Sequence, residues 1–114
     1  MVATRSADET NVADAIALIT DRVVREFAPR RIILFGSQAR GDADARSDVD
    51  LLVVLDGVTN RRDASVAILR SLADLTVPAD IVVTTPEEIA RRGHVVGTVL
   101  RSALREGRVL YERS

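Results

Sequence analysis

Two short apolar runs constrain this chain more than any other feature. Ile32-Ile33-Leu34-Phe35 lies between Pro29 and Gly36, and Leu51-Leu52-Val53-Val54-Leu55 lies between Asp50 and Asp56-Gly57. Their length and their Ile, Val and Phe content favour buried strands over helices. The second run is continuously apolar, which predicts a strand over 48–55 covered on both faces. A first strand is predicted over 31–35, and a third over 80–84, after Pro78.

Helical periodicity fills the spaces between. Val12, Ile16, Ile19, Val23 and Phe27 recur every three to four residues and form one apolar stripe, stopped by Pro29. Asn60 followed by Asp63 marks a helix start, with Ile68, Leu72 and Leu75 as its buried stripe. Thr85 reads as an N-cap, Pro86 as the first helical residue and Glu88 as the partner in a capping box. A last helix carries Val96, Val99, Leu100, Ala103 and Leu104 and ends at Gly107. Residues 108–111 then form a short final strand. Residues 36–47 are polar and read as a short helix or turn followed by a loop. The fold class is therefore α+β (α/β), a small mixed β-sheet with helices packed on it. The 114 residues make one domain, 1–114, with residues 1–10 expected to be poorly ordered and with no repeat or linker.

Missing residue types narrow the chemistry. There is no Cys, so disulfides, thiolate metal sites and thiol catalysis are excluded. All 16 basic residues are Arg, so neither a phosphate-loop lysine nor a Schiff-base lysine is available. One His, His94, cannot form a histidine metal cluster. A net charge of −1 and three aromatic residues (Phe27, Phe35 and Tyr111) give neither a field nor a stacking platform for nucleic acid, so no direct nucleic-acid binding is expected. The N-terminus lacks a signal-peptide pattern, and no apolar stretch is long enough to span a membrane. The expected location is cytoplasmic, with no membrane partner.

The informative segment is Gly36-Ser37, ten residues, then Asp48-Val49-Asp50. Side chains two apart on a strand share a face, so Asp48 and Asp50 point the same way. Adjacent carboxylates repel unless a cation lies between them, and hard divalent cations such as Mg²⁺ choose oxygen donors. Asp80 opens the next strand. If the strands are neighbours, the three carboxylates converge on a patch able to hold two metals, the arrangement that clamps an in-line phosphoryl or nucleotidyl displacement. Gly36 permits a turn at positive φ and close backbone approach. The Ser37 hydroxyl and the Arg40 guanidinium add donors for phosphate oxygens.

These residues resemble the signature of the DNA polymerase β-type nucleotidyltransferase superfamily. The string GSQARGDADARSDVDLLVVLD looks like its minimal nucleotidyltransferases, and the likeness runs from about Ile16 to Tyr111. The resemblance implies the polymerase β-like fold, with Gly36 and Ser37 at the triphosphate and Asp48 and Asp50 as shared Mg²⁺ ligands. It implies Asp80 as third carboxylate, binding one of two Mg²⁺ ions and accepting the proton of the acceptor hydroxyl. It further implies ATP or another nucleoside triphosphate as substrate. The implied partner is a HEPN-domain toxin, for which such proteins serve as antitoxin, some by adenylylating a tyrosine on it. Three functions follow: AMP transfer to a protein hydroxyl, neutralisation of a toxin by occlusion with little catalysis, or transfer to a small molecule such as an aminoglycoside. In the last case a homo-oligomer would supply the missing wall.

Plainer roles exist for each residue. Asp48 and Asp50 can be a solvated strand start, Gly36-Ser37 a turn, and Asp80 punctuation after Pro78. Arg40 can pair with Asp42 or Asp44, and Ser47 can brace the loop. Arg30-Arg31, Arg61-Arg62 and Arg91-Arg92 read as solvated faces. His94 reads as a surface or helix-start residue, and Tyr111 as packing.

Overall fold

The computed structural model describes residues 12–36, 39, 49–75, 77–95 and 97–113. Its elements are α1 (Val12–Phe27), β1 (Arg31–Phe35), β2 (Val49–Val54), α2 (Arg61–Ser71), β3 (Ala79–Thr84), α3 (Pro86–Arg92), α4 (Val99–Glu106) and β4 (Arg108–Glu112). The four strands form one mixed sheet in the order β3-β2-β1-β4. β1 runs antiparallel to both β2 and β4, while β2 and β3 are parallel. A parallel pair needs a crossover rather than a tight turn, and α2 supplies it.

Strand alternation sorts the core into two layers. Ile32, Leu34, Val49, Leu51, Val53, Ile81 and Val83 pack on Ile16, Ile19 and Val23 of α1, on Ile68 of α2 and on Leu72 at its C-cap. On the opposite face, Ile33 and Leu52 meet Ala103 of α4, with Phe35, Val82, Leu100 and Leu104 at the margin. Leu51 to Val54 are buried throughout, as their unbroken apolarity predicts. Helix α1 ends where expected. Ala28 adopts φ 48°, its N–H bonds the Val24 carbonyl at 3.2 Å, and the buried Pro29 cannot continue the helix. Asn60 caps α2 by accepting the Asp63 N–H at 3.0 Å.

The last helix departs from the sequence reading. Val99 was expected on its buried stripe but is 51% exposed. Ala103 is the residue seated against the sheet. Val99 lies four residues before it and Leu100 three, so the stripe centres on Leu100, Ala103 and Leu104 and leaves Val99 at its margin. Val96 lies outside the described residues. The Thr85 hydroxyl accepts the Glu88 N–H at 3.1 Å, but the Glu88 carboxylate bonds Arg91 instead of completing the capping box. Gly107 does end α4, though with φ −77° rather than in the left-handed region. A side chain is excluded there because a Cβ would overlap the Ala103 carbonyl and the Ile33 Cγ2, and would lie 2.9 Å from the Leu34 carbonyl oxygen.

Ion pairs join α1 to the turn after α2, and the strand ends to one another. Arg22 of α1 bonds Asp74 and the Ser71 carbonyl, each at 2.6 Å. Burial pushes the Asp56 carboxyl up, but bonds from Arg113 at 2.8 Å and Arg30 at 3.2 Å outweigh it and hold it below the usual carboxylate range. No described helix is long and apolar enough to cross a membrane.

The two glycines separate packing from backbone strain. Gly107→Ala should lose roughly 1–3 kcal/mol through overpacking. Gly57 has φ 68° and open space around a Cβ, so Gly57→Ala should lose only about 1 kcal/mol of backbone energy. Urea denaturation of both variants, with equal m-values, checks the ranking.

Candidate active site

The C-terminal end of β1 and the N-terminal ends of β2 and β3 meet at one end of the sheet. Phe35 stands opposite Asp50, and Asp50 stands opposite Asp80. Register partners point to the same face, so Asp50 and Asp80 lie side by side on the face that α4 covers further along. Neighbouring strands are about 4.8 Å apart. Asp50 is half-buried and Asp80, on the edge strand, is exposed. Gly36 has φ 75°, and a Cβ there would collide with the Asp50 Oδ2 and come within 3.2 Å of its Cγ. The glycine therefore serves two needs, the left-handed turn that ends β1 and the space the Asp50 carboxylate occupies. The Ala39 N–H bonds the Gly36 carbonyl at 3.1 Å.

Of the residues proposed from the sequence, the fold brings Gly36, Asp50 and Asp80 together. Ser37, Arg40 and Asp48 lie outside the described residues. Paired carboxylates over a glycine match the donor type that Mg²⁺ prefers, so the residues present fit such an ion. Among the described residues no third His, Cys, Asp or Glu joins them. Asp56 is held by Arg30 and Arg113 at the far end of β2 and is no member of this set.

A nucleotidyltransferase domain model matches residues 16–110. The chain belongs to the nucleotidyltransferase domain family. The fold is accordingly the polymerase β-like nucleotidyltransferase fold, and the activity class is nucleotidyl transfer. Among solved structures, a putative nucleotidyltransferase from Sulfolobus solfataricus is 24% identical with a TM-score of 0.65, covering 99% of this chain and 93% of that one. A mutant of the toxin–antitoxin complex MntA–HpeT is 20% identical with a TM-score of 0.57, covering 92% and 76%. A toxin–antitoxin structure with AMP-PNP is 22% identical with a TM-score of 0.52, again covering 92% and 76%. At these identities the likeness is one of fold. No curated protein matches the chain.

A second charged cluster of this nucleotidyltransferase was missed in the sequence. Glu88 is buried, and Arg61, Arg91 and Arg92 surround its carboxylate. Arg91 and Arg92 stand three and four residues after Glu88, a helical spacing visible in the sequence. Arg61 arrives from another helix, which the sequence does not reveal. The arginine pairs 61–62 and 91–92 are thus not simply solvated faces, because a buried acid draws three of those four residues together. His94 lies in the turn after α3 and is exposed, and Tyr111 packs against the core.

Gly36→Ala should displace the Asp50 carboxylate. Far-UV circular dichroism should stay close to wild type, while nucleotidyl transfer falls by at least about tenfold. Equal activity would show that the close approach is not needed.

Glu88 gives a pH prediction. Burial pushes its carboxyl up, but Arg61, Arg91 and Arg92 outweigh that and leave it below the ordinary carboxylate range. Its stabilising contribution is complete above the ordinary Glu pKa of about 4.3 and is lost as pH falls through the lowered native value. The melting-temperature gap between wild type and Glu88→Gln should be full at neutral pH and close in acid.

Proposed function

We propose that this nucleotidyltransferase moves AMP from ATP to a hydroxyl of a partner protein, and that the partner is a HEPN-domain toxin for which it serves as antitoxin. The observation that carries the chemistry is the pairing of Asp50 with Asp80 on one face, closed from below by Gly36. The likeness to toxin–antitoxin structures, one of them with AMP-PNP, supports the partner and the nucleotide. The exposure of Asp80 on an edge strand suits an acceptor as large as a protein.

Asp48, Asp50 and Asp80 would hold Mg²⁺, two ions in the full arrangement. When bound, Mg²⁺ neutralises triphosphate charge and stabilises the attacking and leaving oxygens. Gly36 lets the backbone approach the phosphates, and Ser37 and Arg40 donate to their oxygens. Asp80 accepts the proton of the incoming hydroxyl. That oxygen bonds the α-phosphorus, the bond from the α-phosphorus to the bridging oxygen breaks, and pyrophosphate leaves with the electron pair.

Asp80→Asn tests this reading because it separates binding from chemistry. ATP affinity by calorimetry should stay within a few-fold of wild type, and transfer of labelled AMP to the partner should fall by about 10²–10⁴. A wild-type rate would remove Asp80 from the mechanism. A transfer-dead variant that still neutralises the toxin would favour occlusion as the biological activity.

A further inference from the structure

The outer edge of β3 is unpaired, and it begins at the acidic rung. β3 closes the strand order, and no further strand pairs with it among the described residues. The Pro78 carbonyl accepts the Val49 N–H and the Thr84 carbonyl accepts the Leu55 N–H, each at 2.9 Å. Both carbonyls therefore face β2, and by alternation in a parallel pair so do the backbone groups of Asp80 and Val82. Ala79, Ile81 and Val83 turn their N–H and C=O groups outward, where no described backbone group bonds them. Such a row is a template for another extended chain.

A cavity of about 530 Å³ lies along this edge. Ile81, Val82 and Val83 line it on one side, and Asn60, Arg62 and Ser65 at the start of α2 line it on the other. Successive strand side chains alternate between faces, so a cavity that touches all three strand residues meets the backbone edge between the faces. Arg62 is exposed and has no ion-pair partner among the described residues.

Resting on the transfer to a protein hydroxyl argued above, we propose that the acceptor segment binds as an added strand on the outer edge of β3, with its hydroxyl residue opposite Asp80 and an acidic side chain near Arg62. Register partners share a face, so the acceptor side chain extends the Asp50–Asp80 rung by one strand, about 4.8 Å further out. Its hydroxyl then stands beside the carboxylate that takes its proton, as its oxygen bonds the α-phosphorus and pyrophosphate leaves. Main-chain bonds supply affinity with little regard to sequence. The rung selects a hydroxyl, and the unpaired guanidinium selects an acid.

The test is transfer of labelled AMP by the full chain, with ATP and Mg²⁺, to short synthetic peptides carrying a single Ser or a single Tyr among Val residues, with Glu on both flanks. At least one of the two should be labelled. When one peptide nitrogen at a time is methylated, kcat/KM should fall about fivefold or more at every second position and hold near the parent value between them. Arg62→Glu places an acid at a helix start, where it is favourable, so the fold should hold. It should lower kcat/KM for the Glu-flanked peptide about fivefold or more and raise it for a Lys-flanked one. A methylation scan without alternation would overturn the strand addition and leave the proposed activity standing, as would labelling of the intact partner with neither peptide labelled. Failure to label partner and peptides alike would remove both. No effect of Arg62→Glu on either peptide would overturn the acidic contact.

Discussion

Everything at the candidate active site depends on the parallel register between β2 and β3. That register sets Asp50 and Asp80 on one rung, followed by Leu51 with Ile81, Leu52 with Val82 and Val53 with Val83. The apolar rungs enforce the charged one. A slip of one residue would turn Ile81 and Val83 out of the layer they share with α1 and α2. Two like charges side by side oppose pairing, so the Asp50–Asp80 rung is carried by the hydrophobic rungs around it. Burial over the length of the strands thus holds the carboxylates where a divalent cation would be welcome.

Helices on both faces leave the ends of the sheet to chemistry. At one end the turn at Gly36 admits the Asp50 carboxylate, and the edge position of β3 leaves Asp80 open to a large acceptor. At the other end, Glu88 draws three arginines together at the start of α2 and along α3.

Much of this was legible in the residues. The strands at 31–35 and 49–54 follow from continuous apolarity, and the caps at Asn60 and Thr85 from their side-chain oxygens. The Gly-Ser and Asp-x-Asp spacing points to the nucleotidyltransferase family, and the sequence marks Asp80 near the start of a strand. Local rules failed where a distant residue competed. Glu88 should have closed a capping box, but burial beside Arg61 made the guanidiniums better partners than a backbone N–H. Val99 fitted a helical stripe, yet α4 presents Leu100, Ala103 and Leu104 to the sheet.

By itself, the sequence determined the elements, the types of side chain offered to a ligand and the family. These depend on short-range periodicity, capping and spacing, which the chain carries locally. It could not determine that β2 and β3 are adjacent and in register, that Gly36 lies against the Asp50 carboxylate, or that Arg61 crosses to Glu88. Those pairings join residues 14 to 30 positions apart. They exist because burying both faces of one sheet requires its apolar rungs to align, and the polar groups at its ends are carried into place with them.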